Sequence, residues 1–211
     1  MKLETLQKFG GVSLILGALL LAAYSICFSF LLPLESVRRD YVAVVMNPNW
    51  IWIASMAFFG VIFMMFGFTA VYSKIREGSG TLGLCGYIVI EIAYLFQACK
   101  VTWEICLWPV IASKTVFAPL LGDKILLQSP FVSLLNYSSM GTIFLGIILF
   151  CIALVNSKYF PKYGGILIFA GALIYGFGPM LSTIIAISGI CIFSLGCLII
   201  ASGLFRVRTI L

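Results

Sequence analysis

The chain has 211 residues, of which 63% are hydrophobic and 9% are charged, and its formal net charge is +6. A soluble domain typically carries about 45–50% apolar and about 25% charged residues. So few charges cannot cover a water-exposed surface, which excludes a soluble enzyme and a soluble nucleic-acid-binding domain. The positive charges lie between apolar runs and not in basic clusters, which is typical of topology signals in membrane proteins. The composition therefore predicts an integral membrane protein whose first partner is the lipid bilayer.

Apolar segments recur along the whole chain, and most are long enough to cross the hydrocarbon core as helices of about 20 residues. In lipid the backbone must satisfy its own hydrogen bonds, so a membrane span is either a helix or a strand of a closed barrel. None of these runs shows the alternation of apolar and polar residues that barrel strands have. The first apolar run, residues 10–32, is also longer than the apolar region of a signal peptide, which has about 7–15 residues. The sequence thus predicts an all-α polytopic membrane protein, a single six-helix transmembrane bundle over residues 1–211. The predicted spans are 10–32, 50–72, 81–108, 131–156, 163–178 and 181–205.

Lysine and arginine are distributed unequally between the two sides of this predicted bundle. The side with both termini has eight of them, namely Lys2, Lys8, Lys74, Arg76, Lys158, Lys162, Arg206 and Arg208. The other side has four, namely Arg38, Arg39, Lys114 and Lys124. Because positively charged loops are retained in the cytoplasm, this distribution predicts that the N- and C-termini are cytoplasmic.

The two longer loops, predicted on the outer side, are rich in apolar residues. Segments 36–46 and 115–127 are expected to form short helices that lie on the membrane surface or against a partner. The aromatic residues near these loops fit a belt at the outer interface. The residues in question are the four tryptophans, Trp50, Trp52, Trp103 and Trp108.

Glycines recur at intervals of seven residues within four of the predicted spans. This interval keeps small residues on one helix face, where two helix backbones can approach closely. The spacing therefore predicts glycine-faced helix contacts at Gly10 and Gly17, Gly60 and Gly67, Gly164 and Gly171, and Gly189, Gly196 and Gly203.

Residues 78–83 match the G-x-G-x-x-G pattern of dinucleotide-binding sites. Such a site needs a preceding strand within a βαβ unit, whereas a predicted membrane helix precedes these glycines. We interpret them as a tight cytoplasmic turn, and the sequence predicts no bound cofactor.

Histidine is absent, and all seven cysteines lie inside apolar runs. The absence of histidine excludes histidine-ligated metals and histidine-based catalytic pairs. Cysteines without a C-x-x-C pair are predicted to be packing residues, and the alternative is a disulfide among Cys27, Cys106 and Cys191. Since no paired carboxylates occur in the spans either, the sequence predicts no metal site, no catalytic residue and no enzymatic activity.

The third predicted span contains three ionisable residues. Counted from its start at 1.5 Å per residue, Glu91 lies about 15 Å along the helix, the middle of a core about 30 Å thick. Lys100 and Glu104 lie roughly 28 and 35 Å along, near the outer interface. These two residues are four apart and share a helix face, so they are predicted to form an interfacial ion pair, with Lys100 free to reach the headgroups.

Of these three residues, only Glu91 is predicted to lie at the centre of the membrane. A charge there costs about 2.5–3.5 kcal/mol, so the side chain must be protonated, partnered or turned toward the bundle interior. Tyr87 and Tyr94 share its helix face, and Tyr175 lies at a comparable depth on the fifth span. One interpretation is a polar site for a proton, a cation or a polar ligand. The other is a protonated glutamic acid that ties helices together through tyrosine.

Short motifs open four of the spans: residues 9–12 (Phe-Gly-Gly-Val), 47–50 (Asn-Pro-Asn-Trp), 80–86 (Gly-Thr-Leu-Gly-Leu-Cys-Gly) and 159–165 (Tyr-Phe-Pro-Lys-Tyr-Gly-Gly). In these features the sequence resembles uncharacterised six-helix integral membrane proteins of bacteria and archaea, families that carry a domain-of-unknown-function label. The resemblance extends over nearly the whole chain. It implies the six-helix fold and a multi-pass location in the cell membrane, the inner membrane of a prokaryote, but no activity.

The sequence favours a non-catalytic accessory or structural subunit that packs against other membrane protein subunits or against a second copy of itself. Apolar outer loops and glycine-faced helices support this function. The alternative is a small-solute or ion carrier, for instance of protons, with a polar pocket around Glu91. Transport sites are often marked by helices that proline or glycine breaks in mid-membrane, and no proline interrupts a span here.

Overall fold

The structure is a computed structural model that describes residues 3–32, 41–123 and 125–205. Within these ranges 87% of the residues are helical and no strand occurs, which confirms the all-α prediction. The helices are α1 (Leu3–Leu31), α2 (Tyr41–Val45), α3 (Trp50–Cys106), α4 (Trp108–Ala112), α5 (Pro119–Gly122), α6 (Pro130–Asn156), α7 (Lys162–Phe177) and α8 (Thr183–Phe205), with a 3₁₀ turn at Gly178–Met180. In the described ranges, five helices are long and apolar enough to cross a membrane: α1, α3, α6, α7 with its 3₁₀ turn, and α8. The chain is thus built as a multi-pass membrane protein.

Helix α3 has 57 residues but bends back on itself at Gly80. This glycine has φ 57° and ψ −155°, a conformation that is open almost only to glycine. The rings of Tyr72 and Tyr87, on opposite sides of the bend, stack with their centroids 4.5 Å apart. α3 is therefore a hairpin of two antiparallel arms, residues 50–79 and 81–106.

The bend confirms the turn that the glycine pattern predicts, but the loop expected over residues 73–80 is helical up to Gly80. No proline lies in this stretch to stop the helix, so it continues until the glycine breaks it. The first arm thus extends beyond its predicted end at residue 72.

The long helices form a closed ring in which each contacts the next. α1 packs on α3, α3 on α6, α6 on α7, α7 on α8, and α8 again on α1. Glycines lie at the closest contacts, as their spacing predicts: a Cβ atom on Gly17 would be 2.8 Å from the backbone nitrogen of Met64. On the opposite side of the ring, a Cβ on Gly196 would be 2.7 Å from the backbone nitrogen of Ile168. A larger residue at either glycine would force these helices apart.

The described residues of segments 41–49 and 107–129 fold over one end of the bundle, and we call them the cap. Helix α2 lies within the predicted segment 36–46, of which residues 36–40 fall outside the described part of the chain. In segment 115–127 the only helix is α5, with four residues, and its described neighbours form turns. Val44 and Leu121 are fully buried, so the cap packs on the bundle.

The tryptophans divide between the cap and the surface. Trp50, at the start of α3, and Trp108, in the cap itself, are buried, with stacked rings whose centroids are 6.3 Å apart. Only Trp52 and Trp103 are exposed, as an aromatic belt requires. The predicted belt is therefore half correct, because the other two rings are buried where the cap packs on the bundle.

All seven cysteines are free thiols, so the alternative disulfide among Cys27, Cys106 and Cys191 is not formed. Cys151 and Cys197 are buried in the main hydrophobic core. These two therefore act as packing residues, as predicted for all seven, whereas Cys85, Cys99, Cys106 and Cys191 are exposed.

Candidate functional site

A cavity of about 640 Å³ lies inside the ring of long helices. Its volume falls within the range of about 300–1,000 Å³ that is typical of small-molecule sites. On the second arm of α3 its lining extends from Tyr94 to Glu104, and on α6 from Asn136 to Ile147. Each stretch is about 15 Å long at 1.5 Å per residue, so the central cavity occupies roughly the half of the bundle nearest the cap.

Lys100 and Glu104 lie in the wall of this central cavity at its cap end. The Lys100 Nζ and Glu104 Oε1 atoms are 4.0 Å apart, so the predicted pair is present. Glu104 is only 8% exposed, whereas 36% of the Lys100 side chain is exposed. Both residues also line a smaller cavity of about 130 Å³ below the cap. The pair thus lies between the central cavity and the cap, with Glu104 buried and Lys100 partly exposed.

Two amide side chains line the central cavity beside the ion pair. Gln97 lies one turn before Lys100 on α3, and Asn136 belongs to α6 and also lines the smaller cavity. Neither amide makes a hydrogen bond to another described residue. Amides and charged groups that are not already satisfied by protein partners are available to orient a ligand.

The cap closes the smaller cavity with aromatic rings. Tyr41 lines it, and the centroid of its ring lies 5.2 Å from that of Trp108. Burial, together with the nearby charge of Glu104, raises the pKa of the Tyr41 phenol well above its usual range. The hydroxyl therefore stays protonated and remains a hydrogen-bond donor at physiological pH. The indole Nε1 of Trp50 donates to the backbone carbonyl of Glu104 at 3.0 Å, which fixes this end of the second arm.

The structure divides the residues that the sequence grouped around Glu91. Tyr94 and Tyr175 line the central cavity, whereas Glu91 and Tyr87 do not. Glu91 is half-buried at the seam between the two arms of α3, where the Thr69 hydroxyl donates to its Oε1 atom at 3.2 Å. A second contact of 3.2 Å joins the hydroxyls of Thr69 and Tyr87. The structure therefore brings Tyr94 and Tyr175 to the central cavity, whereas Glu91 and Tyr87 meet at Thr69.

Sequence reasoning missed Gln97, did not assign Asn136 to the site, and did not expect a cavity beside Lys100. A signal was available, because positions 97, 100 and 104 are three and four residues apart and form one polar stripe on the second arm. Depth counted along a helix does not show which way a side chain faces. That direction depends on how the arm rotates against its neighbours.

Comparison of the sequence with protein-family models and with curated proteins gives no match, and comparison of the fold with solved structures gives none either. The resemblance to six-helix membrane proteins of unknown function therefore stays a prediction. The function has to be argued from the geometry of the site.

Proposed function

We propose that the protein is a non-catalytic membrane carrier that binds a small ligand in the central cavity. Lys100 and Glu104 are its polar binding groups. The observation that carries the proposal is a carboxyl group with 8% exposure in the wall of a 640 Å³ cavity. Burying a charge is costly unless it is paired and hydrogen-bonded, and at 4.0 Å the lysine is too far away for a hydrogen bond. The pair therefore keeps donors and acceptors available for a ligand.

This proposal moves the binding group of the carrier from Glu91 to the ion pair. Glu91 already accepts a hydrogen bond from Thr69, which joins the two arms of α3. That contact supports the structural interpretation of Glu91, as a residue that ties the arms together.

The accessory subunit is the second candidate function, and the surface of the cap favours it. Val116, Phe117 and Ile125 are apolar and exposed, although they lie outside the long helices. Such residues are typical of a contact with another membrane protein subunit or a second copy of the chain. Native mass spectrometry after extraction in a mild detergent tests this function. A stoichiometric protein partner would support it, and a bare monomer would contradict it.

The carrier requires a topology in which all the helices of the ring cross the bilayer. We propose six crossings, since the arms of α3 are about 45 and 39 Å long at 1.5 Å per residue, and each exceeds a core of about 30 Å. The excess of Lys and Arg near both termini supports a cytoplasmic location for them, in the cell membrane of a prokaryote. A reporter fused after residue 211 and another inserted at residue 80 should both report the cytoplasm.

The direct test identifies what the cavity holds. The full chain is purified in a mild detergent and denatured, and the released small molecules are measured by mass spectrometry. We expect a stoichiometric molecule that is lost in Lys100→Met and Glu104→Gln. It should be retained in the matched controls Lys158→Met and Glu77→Gln, whose exposed side chains lie away from the cavity. Release of no molecule, or equal release from all four variants, would contradict the proposal.

A further inference from the structure

The central cavity changes from polar to apolar along its length. Near the cap its lining includes Lys100, Glu104 and Asn136. At the other end the lining is mainly apolar and includes Ile147 and Phe193, with the Tyr94 phenol as the polar exception. The distance from Asn136 to Ile147 along α6 is about 16 Å at 1.5 Å per residue. A ligand that fills the cavity therefore needs a polar head and an apolar body.

The central cavity opens on the flank of the bundle. Met140, Pro179 and Thr183 line it and are also exposed, so its mouth lies between α6 and the turn that joins α7 to α8. Deeper along the same seam, the stacked rings of Phe144 and Phe177, with centroids 5.4 Å apart, close the wall. The mouth is thus confined to the part of the seam nearest the cap.

The rim of this mouth is mainly apolar. Met180 and Ile184, in and next to the α7–α8 turn, are strongly exposed, and Thr183 is the polar exception. An opening to water would be expected to carry polar residues, because large exposed apolar patches mark contacts with lipid or protein. The mouth therefore faces the hydrocarbon of the bilayer.

The depth of the mouth in the bilayer, which follows from the length of α7, also fits an opening to lipid. Helix α7 begins at Lys162 and has 16 residues, which gives about 24 Å at 1.5 Å per residue. With its 3₁₀ turn the span reaches Met180, so the turn at residues 178–182, which contains no charged residue, lies near the cap-side limit of a hydrocarbon core of about 30 Å. The mouth thus opens into the leaflet on the cap side, where lipid heads point toward the cap and chains point away from it. The polar and apolar ends of the cavity have the same orientation.

The charges of the site define the head group. Lys100 and Glu104 contribute one positive and one negative charge 4.0 Å apart. A head with a net charge would leave that charge uncompensated in a region of low dielectric constant. A head with an anionic group for Lys100 and a cationic group for Glu104 satisfies both side chains.

We infer that the ligand is a zwitterionic amphiphile that enters the central cavity from the lipid through the mouth between α6 and the α7–α8 turn. This inference rests on the proposed function and names the ligand class of the same site. The Asn136 and Gln97 amides add neutral hydrogen bonds to the head. The chain of the amphiphile packs along Phe193 and Ile147.

Titration in native mass spectrometry tests the inference with the full chain in a non-ionic detergent. The probes are lysophosphatidylethanolamine, which is zwitterionic, lysophosphatidylglycerol, which is anionic, and glycerophosphoethanolamine, which has the zwitterionic head without a chain. We expect saturable one-to-one binding of the first probe, at least tenfold weaker binding of the second, and no binding of the third. Lys100→Met and Glu104→Gln should each weaken the first probe at least tenfold, and Glu77→Gln should not.

Lys100→Arg keeps the positive charge and should retain binding, which separates loss of the charge from loss of the fold. Met140→Trp narrows the mouth and should slow both association and release of the lipid probe. Equal binding of the chain-free probe would overturn the inference and leave the carrier of a soluble solute intact. Equal binding of the anionic and zwitterionic lipids would overturn the head-group assignment. If no probe binds and no molecule is released on denaturation, the proposed function fails as well.

Discussion

Replacing Lys100 by methionine should destabilise the protein, and adding Glu104→Gln in the same chain should recover part of the loss. Methionine keeps an apolar stem but removes the ammonium group 4.0 Å from Glu104, which is 8% exposed. At this distance Coulomb's law gives about 4 kcal/mol for an effective dielectric constant of about 20. Since the Lys100 side chain is 36% exposed, screening by solvent should reduce the coupling free energy to about 1–2 kcal/mol.

A double-mutant cycle measures this coupling. The free energy of unfolding is determined in detergent for the parent, Lys100→Met, Glu104→Gln and the double variant, and Glu77→Gln serves as the exposed control. The control should stay within about 0.5 kcal/mol of the parent. If the two single effects add to within about 0.5 kcal/mol, the residues are not coupled and the electrostatic reasoning is refuted.

Three further predictions concern the helix contacts, the hairpin and Glu91. Gly196→Leu should lower the melting temperature strongly or prevent folding, because a Cβ atom added there would lie 2.7 Å from the Ile168 nitrogen. The control Gly141→Ala should be tolerated, since a Cβ atom added at that residue would have no neighbour within 4 Å. Gly80→Ala should cost about 1–3 kcal/mol of unfolding free energy because of the backbone conformation at that residue, and an unchanged melting curve by circular dichroism would contradict this. Glu91→Gln should leave the released small molecule unchanged in mass spectrometry, since Glu91 lies outside the central cavity. Loss of that molecule would return the binding site to Glu91.

The positions of the long helices could be predicted closely from the sequence. The predicted span 131–156 corresponds to α6 (Pro130–Asn156), and the span 163–178 to α7 (Lys162–Phe177). These boundaries follow from local chemistry, because Pro130 occupies the first turn of α6 and the Ser129 side chain accepts a hydrogen bond from the Val132 nitrogen. Helix α1 begins at Leu3, before the predicted residue 10, and its polar first turns are held by an ion pair of 2.7 Å between Glu4 and Lys8.

The glycine contacts could also be predicted, because a seven-residue spacing is a property of a single helix. Which helices the glycines would join could not. Gly17 meets Met64, and Gly196 meets Ile168, in contacts between segments that are far apart in the chain. The partner of each glycine depends on the order in which the long helices contact one another around the ring.

The candidate site was the least predictable part. The sequence correctly set Lys100 and Glu104 on one helix face, but it gave the central role to Glu91. The pair lies in the wall of two cavities next to the cap, and the rotation of the second arm places Glu91 at the seam with Thr69. The lining of the cavities and the position of Glu91 both depend on contacts between segments that are far apart in the chain. The periodicity of a single helix contains no information on such contacts.

By itself, the scarcity of charge determined that this is an all-α membrane protein, because lipid forces the backbone to satisfy its own hydrogen bonds within each span. Local periodicity and glycine spacing then placed its helices and their close-packing faces. Only the tertiary structure decided which polar side chains share a cavity. The direction of a side chain depends on how its helix is rotated about its own axis. That rotation is set by the packing of the helix against all of its neighbours.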